Sequence, residues 1–256
     1  MSQGSDRPLE PRRKAVVVGA SSGIGQALAR RLAAEGFDLG LVARRQDALE
    51  ALAAELQRRE GVVALAFLHD VRDTQDAPEL LQTICRQLDG LDLFVYSAGV
   101  MYPQDAAAYD TGQDLETLEV NLSGAVAWIN PVAQRFERAG GGHIVGIVSV
   151  AGARGRRALP AYSASKAGLA TYLEAMRNRV SRAGVTVTTI HPGQVDTPML
   201  AGAAQVRGPI SVDRAAGLIW RAIRQHKQIA YVPWRWGVVA LVIRSIPSAL
   251  FRRLNL

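Results

Sequence analysis

Cysteine is nearly missing from this chain. Cys85 stands alone, which excludes an internal disulfide framework and suits a reducing compartment. Histidine is sparse too: His69, His143, His191 and His226 are scattered, with no paired spacing and no cysteine partners, so no metal centre is expected. No charged segment followed by an apolar core opens the sequence, so a cleaved secretory signal is not expected. Lysine occurs only as Lys14, Lys166 and Lys227; the other 27 of the 30 basic residues are arginine. From Ala201 onward acids are almost gone, with Asp213 alone against nine Arg and Lys. That stretch therefore carries +8, and the preceding body −1, of the net +7. A basic tail without a recognised motif does not make a nucleic-acid footprint.

What is there is a chain of 256 residues, 48% hydrophobic, large enough to bury one substantial core. Short apolar runs alternate with amphipathic stretches. Strands are expected at 14–18 (KAVVV), 37–43, 62–68, 91–96, 143–148 (HIVGIV), 185–190 (VTVTTI) and 229–233. Helices are expected at 24–35, 46–59, 74–88, about 113–139 and from Pro160 onward. Such alternation implies an α/β fold, a single Rossmann-type doubly wound parallel sheet with helices on both faces. Three segments follow: a flexible N-terminal stretch 1–13, the sheet domain 14–232, and a basic, apolar extension 233–256.

The chemistry-bearing residues cluster at the carboxyl ends of these strands, where open α/β sheets bind their ligands. After the first strand, Gly19-Ala-Ser21-Ser22-Gly23-Ile24-Gly25 enters a helix. Glycine there lets the backbone approach a pyrophosphate, and the helix N-terminus offers N–H groups. The second strand ends in Arg44-Arg45, where an acid would bind a ribose 2′-hydroxyl and an arginine accommodates a 2′-phosphate. Asp70, Ser97–Gly99, Ser149 and Pro192–Thr197 end the later strands. Tyr162 and Lys166 lie four apart in the Pro160 helix, so they share a face. One Tyr-x-x-x-Lys would arise by chance in about one such sequence in fourteen, so the spacing alone is weak. Its company gives it weight. An ammonium beside a phenol favours the phenolate, and such a tyrosine can exchange a proton with a carbonyl oxygen while Ser149 positions that oxygen.

Taken together, these residues resemble the short-chain dehydrogenase/reductase family over residues 14–229. The resemblance implies a cofactor turn at Gly19, Gly23 and Gly25, and a catalytic set of Asn121, Ser149, Tyr162 and Lys166. It gives Asn121 a water in the proton relay and Lys166 the nicotinamide ribose. Asp70 and Val71 would lie near the adenine, and Ser97, Ala98 and Gly99 along the cofactor. Pro192, Gly193, Val195 and Thr197 would lie at the carboxamide. Two positions depart from the family pattern: Val18 replaces its threonine, and Tyr96-Ser97 replaces its Asn-Asn, with consequences for local hydrogen bonding.

The expected activity is hydride transfer between NADP(H) and a carbonyl or secondary alcohol, with reduction of a hydrophobic ketone or aldehyde favoured. An NAD-linked alcohol dehydrogenase and a non-catalytic NADP-binding sensor are the alternatives. The resemblance also implies a homodimer or homotetramer. Segment 199–209 is where the family carries its substrate lid. The extension, with Trp234 and Trp236, flanking arginines and aliphatics between, suits oligomer packing, an anionic membrane surface or a cover over the pocket. Residues 237–243 are too short to span a bilayer. The expected location is cytoplasmic, at the inner face of a membrane if the extension binds lipid.

Overall fold

The computed structural model describes residues 13–103, 105, 108–200 and 208–254. Residues 1–12 of the flexible stretch expected at 1–13, and most of the expected lid, therefore lie outside the described residues. Seven parallel strands form one sheet in the order β3-β2-β1-β4-β5-β6-β7. They are β1 (Lys14–Val18), β2 (Asp38–Ala43), β3 (Ala64–Leu68), β4 (Leu93–Tyr96), β5 (Gly142–Ile147), β6 (Val185–Pro192) and β7 (Ile229–Val232). The order reverses between β1 and β4, which leaves a crevice at their carboxyl ends.

Helices cover both faces. On one face α1 (Gly23–Ala34), α2 (Gln46–Glu60) and α7 (Val212–Arg224) bury Leu28, Leu52 and Ile219 against Ala15, Val17 and Leu41. On the other, α3 (Ala77–Leu88), α5 (Gly124–Ala139) and α6 (Pro160–Val180) bury Ile84, Trp128 and Leu173 against Val16, Val18 and Phe94. Successive β1 residues thus serve opposite cores, and for that reason its sequence is continuously apolar rather than alternating.

The expected third strand begins two residues later than 62, and α3 begins at Ala77, with Pro78 in its first turn. The single helix expected over 113–139 is instead α4 (Thr111–Leu118), a π-helical turn (Glu119–Ser123) and α5. The wider turn carries Asn121. After β7 the chain forms α8 (Arg235–Ser245), which packs against β7 and the turn 150–153 that follows β5, and the one-turn α9 (Ser248–Phe251).

Candidate active site

A cavity of about 970 Å³ opens along the carboxyl ends of the strands. Its floor is the glycine turn. Gly19 has φ +88°, and a Cβ there would lie 2.5 Å from the Ala98 nitrogen, so this position requires glycine. A Cβ on Gly25 would meet the Gly19 carbonyl at 2.2 Å, which lets α1 start hard against the turn. Ser22 at the N-cap makes no side-chain cap bond, leaving the first-turn N–H groups of α1 for a ligand.

At one end Arg44 and Arg45 line the cavity with Ser21. Arg45 donates to the Ser21 hydroxyl at 2.9 and 3.2 Å. Arg44 Nη1 stands 3.7 Å from Asp70, whose carboxylate is bound more closely by Arg72, at 2.6 Å. The hydrogen bond from Arg72 holds Asp70 below the usual carboxylate range, so it is ionised and committed to the two arginines. Val71 and His69 line the wall there, and Asp70 does not. His69 rests edge-on against Trp128, at 5.4 Å.

In the middle, β5 runs into Ser149, whose hydroxyl caps a 3₁₀ turn (Val150–Ala153) by accepting from the Ala151 N–H at 3.1 Å. Ser149 also acts on the Tyr162 phenol, favouring its ionised form. One turn further along α6, Lys166 is only 4% exposed; its ammonium donates to the Ile147 carbonyl at 3.2 Å and lies 5.8 Å from the Tyr162 ring centre. Burial lowers Lys166 to about 8. The phenol of Tyr162 is pushed up by burial, against the opposing pull of Ser149 and the Arg156 guanidinium. The net direction for this phenol is upward, opposite to the lowering expected from Lys166. Desolvation outweighs the charge effects, and the cation that opposes it at Tyr162 is Arg156.

Asn121 lies behind the wall, fully buried. Its amide donates to the Val100 carbonyl and the Ser165 hydroxyl, both at 3.0 Å, and its carbonyl accepts from the Val100 N–H at 2.8 Å. Ser165 in turn donates to the Tyr162 carbonyl at 2.9 Å. Asn121 thus ties the loop after β4 to the Tyr162 helix, and both Asn121 and Lys166 converge on Gly99, where a Cβ would come within 3.1 and 3.3 Å of them.

The two departures from the family pattern are absorbed locally. Tyr96 is completely buried and its hydroxyl donates to the Val120 carbonyl, in the π turn, at 2.6 Å. Gly124 makes room, since a Cβ there would lie 2.8 Å from that hydroxyl. Val18 packs in the core, and its carbonyl accepts from the Ser97 N–H at 2.8 Å, so β1 and β4 are tied through main chain.

At the remaining end Pro192, Gly193, Val195 and Thr197 line the cavity, joined by Pro198, Met199 and Leu200. Trp236 of α8 lies so close to Gly193 that a Cβ there would fall 2.0 Å from its Nε1. Val239, Ile243 and Phe251 complete an apolar wall. The extension therefore covers the pocket, one of the three expectations for it. Arg154 fastens it: its guanidinium donates to the carbonyls of Ile243 (3.1 Å), Arg244 (3.3 Å) and Ile246, and to the Ser248 hydroxyl (3.1 Å). It also lies 4.2 Å from the Phe251 ring centre. The composition of the extension signalled an apolar face but not which surface would bury it.

A parallel sheet of this order, with a glycine turn at its crevice and a Ser-Tyr-Lys group beside it, defines a dinucleotide-binding oxidoreductase fold. The family model described as short chain dehydrogenase matches residues 13–207, and the chain belongs to that family. An uncharacterized oxidoreductase of Mycobacterium tuberculosis is 33% identical over 94% of this chain and 97% of its own. A short-chain dehydrogenase from Sphingobium yanoikuyae, in complex with NADPH, is 25% identical with a TM-score of 0.80, covering 93% and 97% of the two chains. A variant of actinorhodin polyketide ketoreductase with NADPH is 27% identical with a TM-score of 0.80, covering 88% and 97%.

Proposed function

We propose that this protein is an NADP(H)-dependent oxidoreductase that reduces the carbonyl of a small molecule with an apolar body. The observation that carries the reading is a single cavity with Ser149, Tyr162 and Lys166 in its middle and Arg44, Arg45 and Ser21 at one end. Five cations line it, and no carboxylate does among the described residues. Two structural neighbours bind NADPH, which supports the same cofactor here. The glycine turn and α1 would hold its pyrophosphate, Arg44 and Arg45 its 2′-phosphate, and Pro192, Gly193, Val195 and Thr197 its carboxamide.

Bound there, the nicotinamide would supply the hydride. Ser149 positions the carbonyl oxygen at the phenol, and Tyr162 gives it the proton. A phenol raised by burial suits this donor role, because it stays protonated at neutral pH. Lys166 holds the ribose, and Asn121 positions the Tyr162 helix through Ser165. The apolar wall from α8 and α9 favours a hydrophobic substrate.

Partners beyond the substrate divide by face. The outer side of α8 leaves Val238, Leu241 and Val242 exposed, with Arg235, Arg244, Arg252 and Arg253 around them and no acid after Asp213. A two-fold dimer through this face would set the arginines against themselves. We assign it to an anionic lipid surface, and the family's usual self-association to other helices. Among the described residues no helix is long and apolar enough to cross a membrane.

Titration with NADPH and NADH, followed by tryptophan and nicotinamide fluorescence, tests the cofactor. NADPH should bind at least about tenfold more tightly, and Arg44→Ala should remove most of that preference. Preference for NADH would favour an NAD-linked alcohol dehydrogenase. Binding of both with no turnover of any carbonyl would leave a sensor on the same fold.

A further inference from the structure

The cations of the cavity are not all explained by a dinucleotide. Arg44 and Arg45 belong to its phosphate end and Lys166 to its ribose. Arg156 and Arg157 also line the cavity, in the loop between the 3₁₀ turn and α6. Arg157 is exposed at the rim. Arg156 is half-buried and close enough to Tyr162 to act on its phenol. Its main-chain N–H donates to Ser163, while its guanidinium has no carboxylate partner among the described residues. Burial depresses its pKa, offset in part by Tyr162. A half-buried, unpaired guanidinium facing a cavity is costly unless a ligand supplies the missing charge.

The neighbours of this loop define the rest of the ligand. Leu159, Trp236, Ile243 and Phe251 form an apolar surface in the same cavity. We propose that the substrate is an oxo acid: an apolar chain whose carboxylate is bound by Arg156, near enough for its carbonyl, at C2 or C3, to reach Ser149 and Tyr162. This rests on the oxidoreductase reading above and names its substrate class. The reaction balances as a carbonyl reduction. A hydride from NADPH goes to the carbonyl carbon and a proton from Tyr162 to its oxygen, giving the hydroxy acid and NADP⁺, while the carboxylate is unchanged.

The test compares matched substrates with NADPH. 2-Oxooctanoate and 3-oxooctanoate, freshly prepared, are set against their methyl esters and 2-octanone. The wild type should prefer at least one acid over its ester by about tenfold or more in kcat/KM, the gain of one charge-assisted contact. Arg156→Gln should collapse that ratio, and Arg156→Lys should restore part of it. Because Arg156 also acts on Tyr162, each ratio is taken at several pH values. An effect on the phenol alone would shift acid and ester equally, leave the ratio intact, and overturn the proposal. Wild-type kcat/KM equal for acids and esters would also overturn it, while turnover of the ketone would leave the oxidoreductase reading standing. A second readout needs no turnover: calorimetric binding of octanoate and of 1-octanol to the NADPH complex. Octanoate binding that Arg156→Gln weakens about tenfold supports the carboxylate contact at Arg156 independently of turnover, while failure of every carbonyl to be reduced would overturn the oxidoreductase reading and, with it, the oxo acid as substrate. Octanoate binding no better than 1-octanol, or unaffected by the substitution, counts against it.

Discussion

Tyr162 carries the chemistry in this reading, and a single oxygen is enough to test it. Tyr162→Phe should lower kcat by at least about 10²-fold while NADPH still binds, because the ring stays and only the proton donor goes. Near-normal turnover would end the assignment. Lys166 gives a pH signature. Burial brings it to about 8, so its charge is present below that pH and lost above it. NADPH affinity should therefore fall as pH rises through about 8, and the inflection should vanish in Lys166→Met, measured by fluorescence titration. Tyr96 offers a different kind of test. Its hydroxyl satisfies the buried Val120 carbonyl, so Tyr96→Phe should cost about 1–3 kcal/mol in urea unfolding. It should also loosen the π turn that presents Asn121. The sequence made Tyr96 visible only as a departure from a pattern. Its partner lies 24 residues away, and no local signal predicts which carbonyl a buried phenol will meet.

At the scale of elements, most of the fold was legible because each strand is an apolar run ended by turn chemistry and each long helix has its period. The π turn was not. One extra residue in a helical repeat changes no local propensity, and it shows only through what Asn121 then reaches. The role of α8 was equally hidden. Its apolar residues point both ways, toward the pocket through Trp236 and Ile243 and toward solvent through Leu241 and Val242, so no single amphipathic stripe marks an inner face. The clamp from Arg154 is the testable consequence. Arg154→Met should free the end of α8, raise KM for an apolar substrate about tenfold, and expose residues 235–254 to proteolysis, with little change in melting temperature. Melting that falls in step with protease sensitivity would show instead that the extension is part of the global core.

The whole molecule has an acid limit set by two buried histidines. His143, buried and facing His226, and His191, buried with Arg244 and Arg177 nearby, both have pKa values lowered to about 4. An unfolded chain would protonate them near 6.5, so between about 6.5 and 4 the unfolded state binds more protons and stability falls as pH falls. The two could together remove several kcal/mol, on the order of 3 kcal/mol each. Melting temperature should drop steadily from pH 6.5 to 4, and His143→Gln should flatten part of the slope.

Arg154 also bears on how such chains can diverge. The last carbonyls of α8 are satisfied by a side chain 89 to 92 residues upstream rather than by a cap of the helix's own. The extension and position 154 are then inherited as one unit. A chimera that exchanges residues 233–256 with those of a relative should keep a closed pocket only when the residue at 154 travels with them. Across natural relatives, arginine at that position should appear and disappear together with a C-terminal helix of this kind.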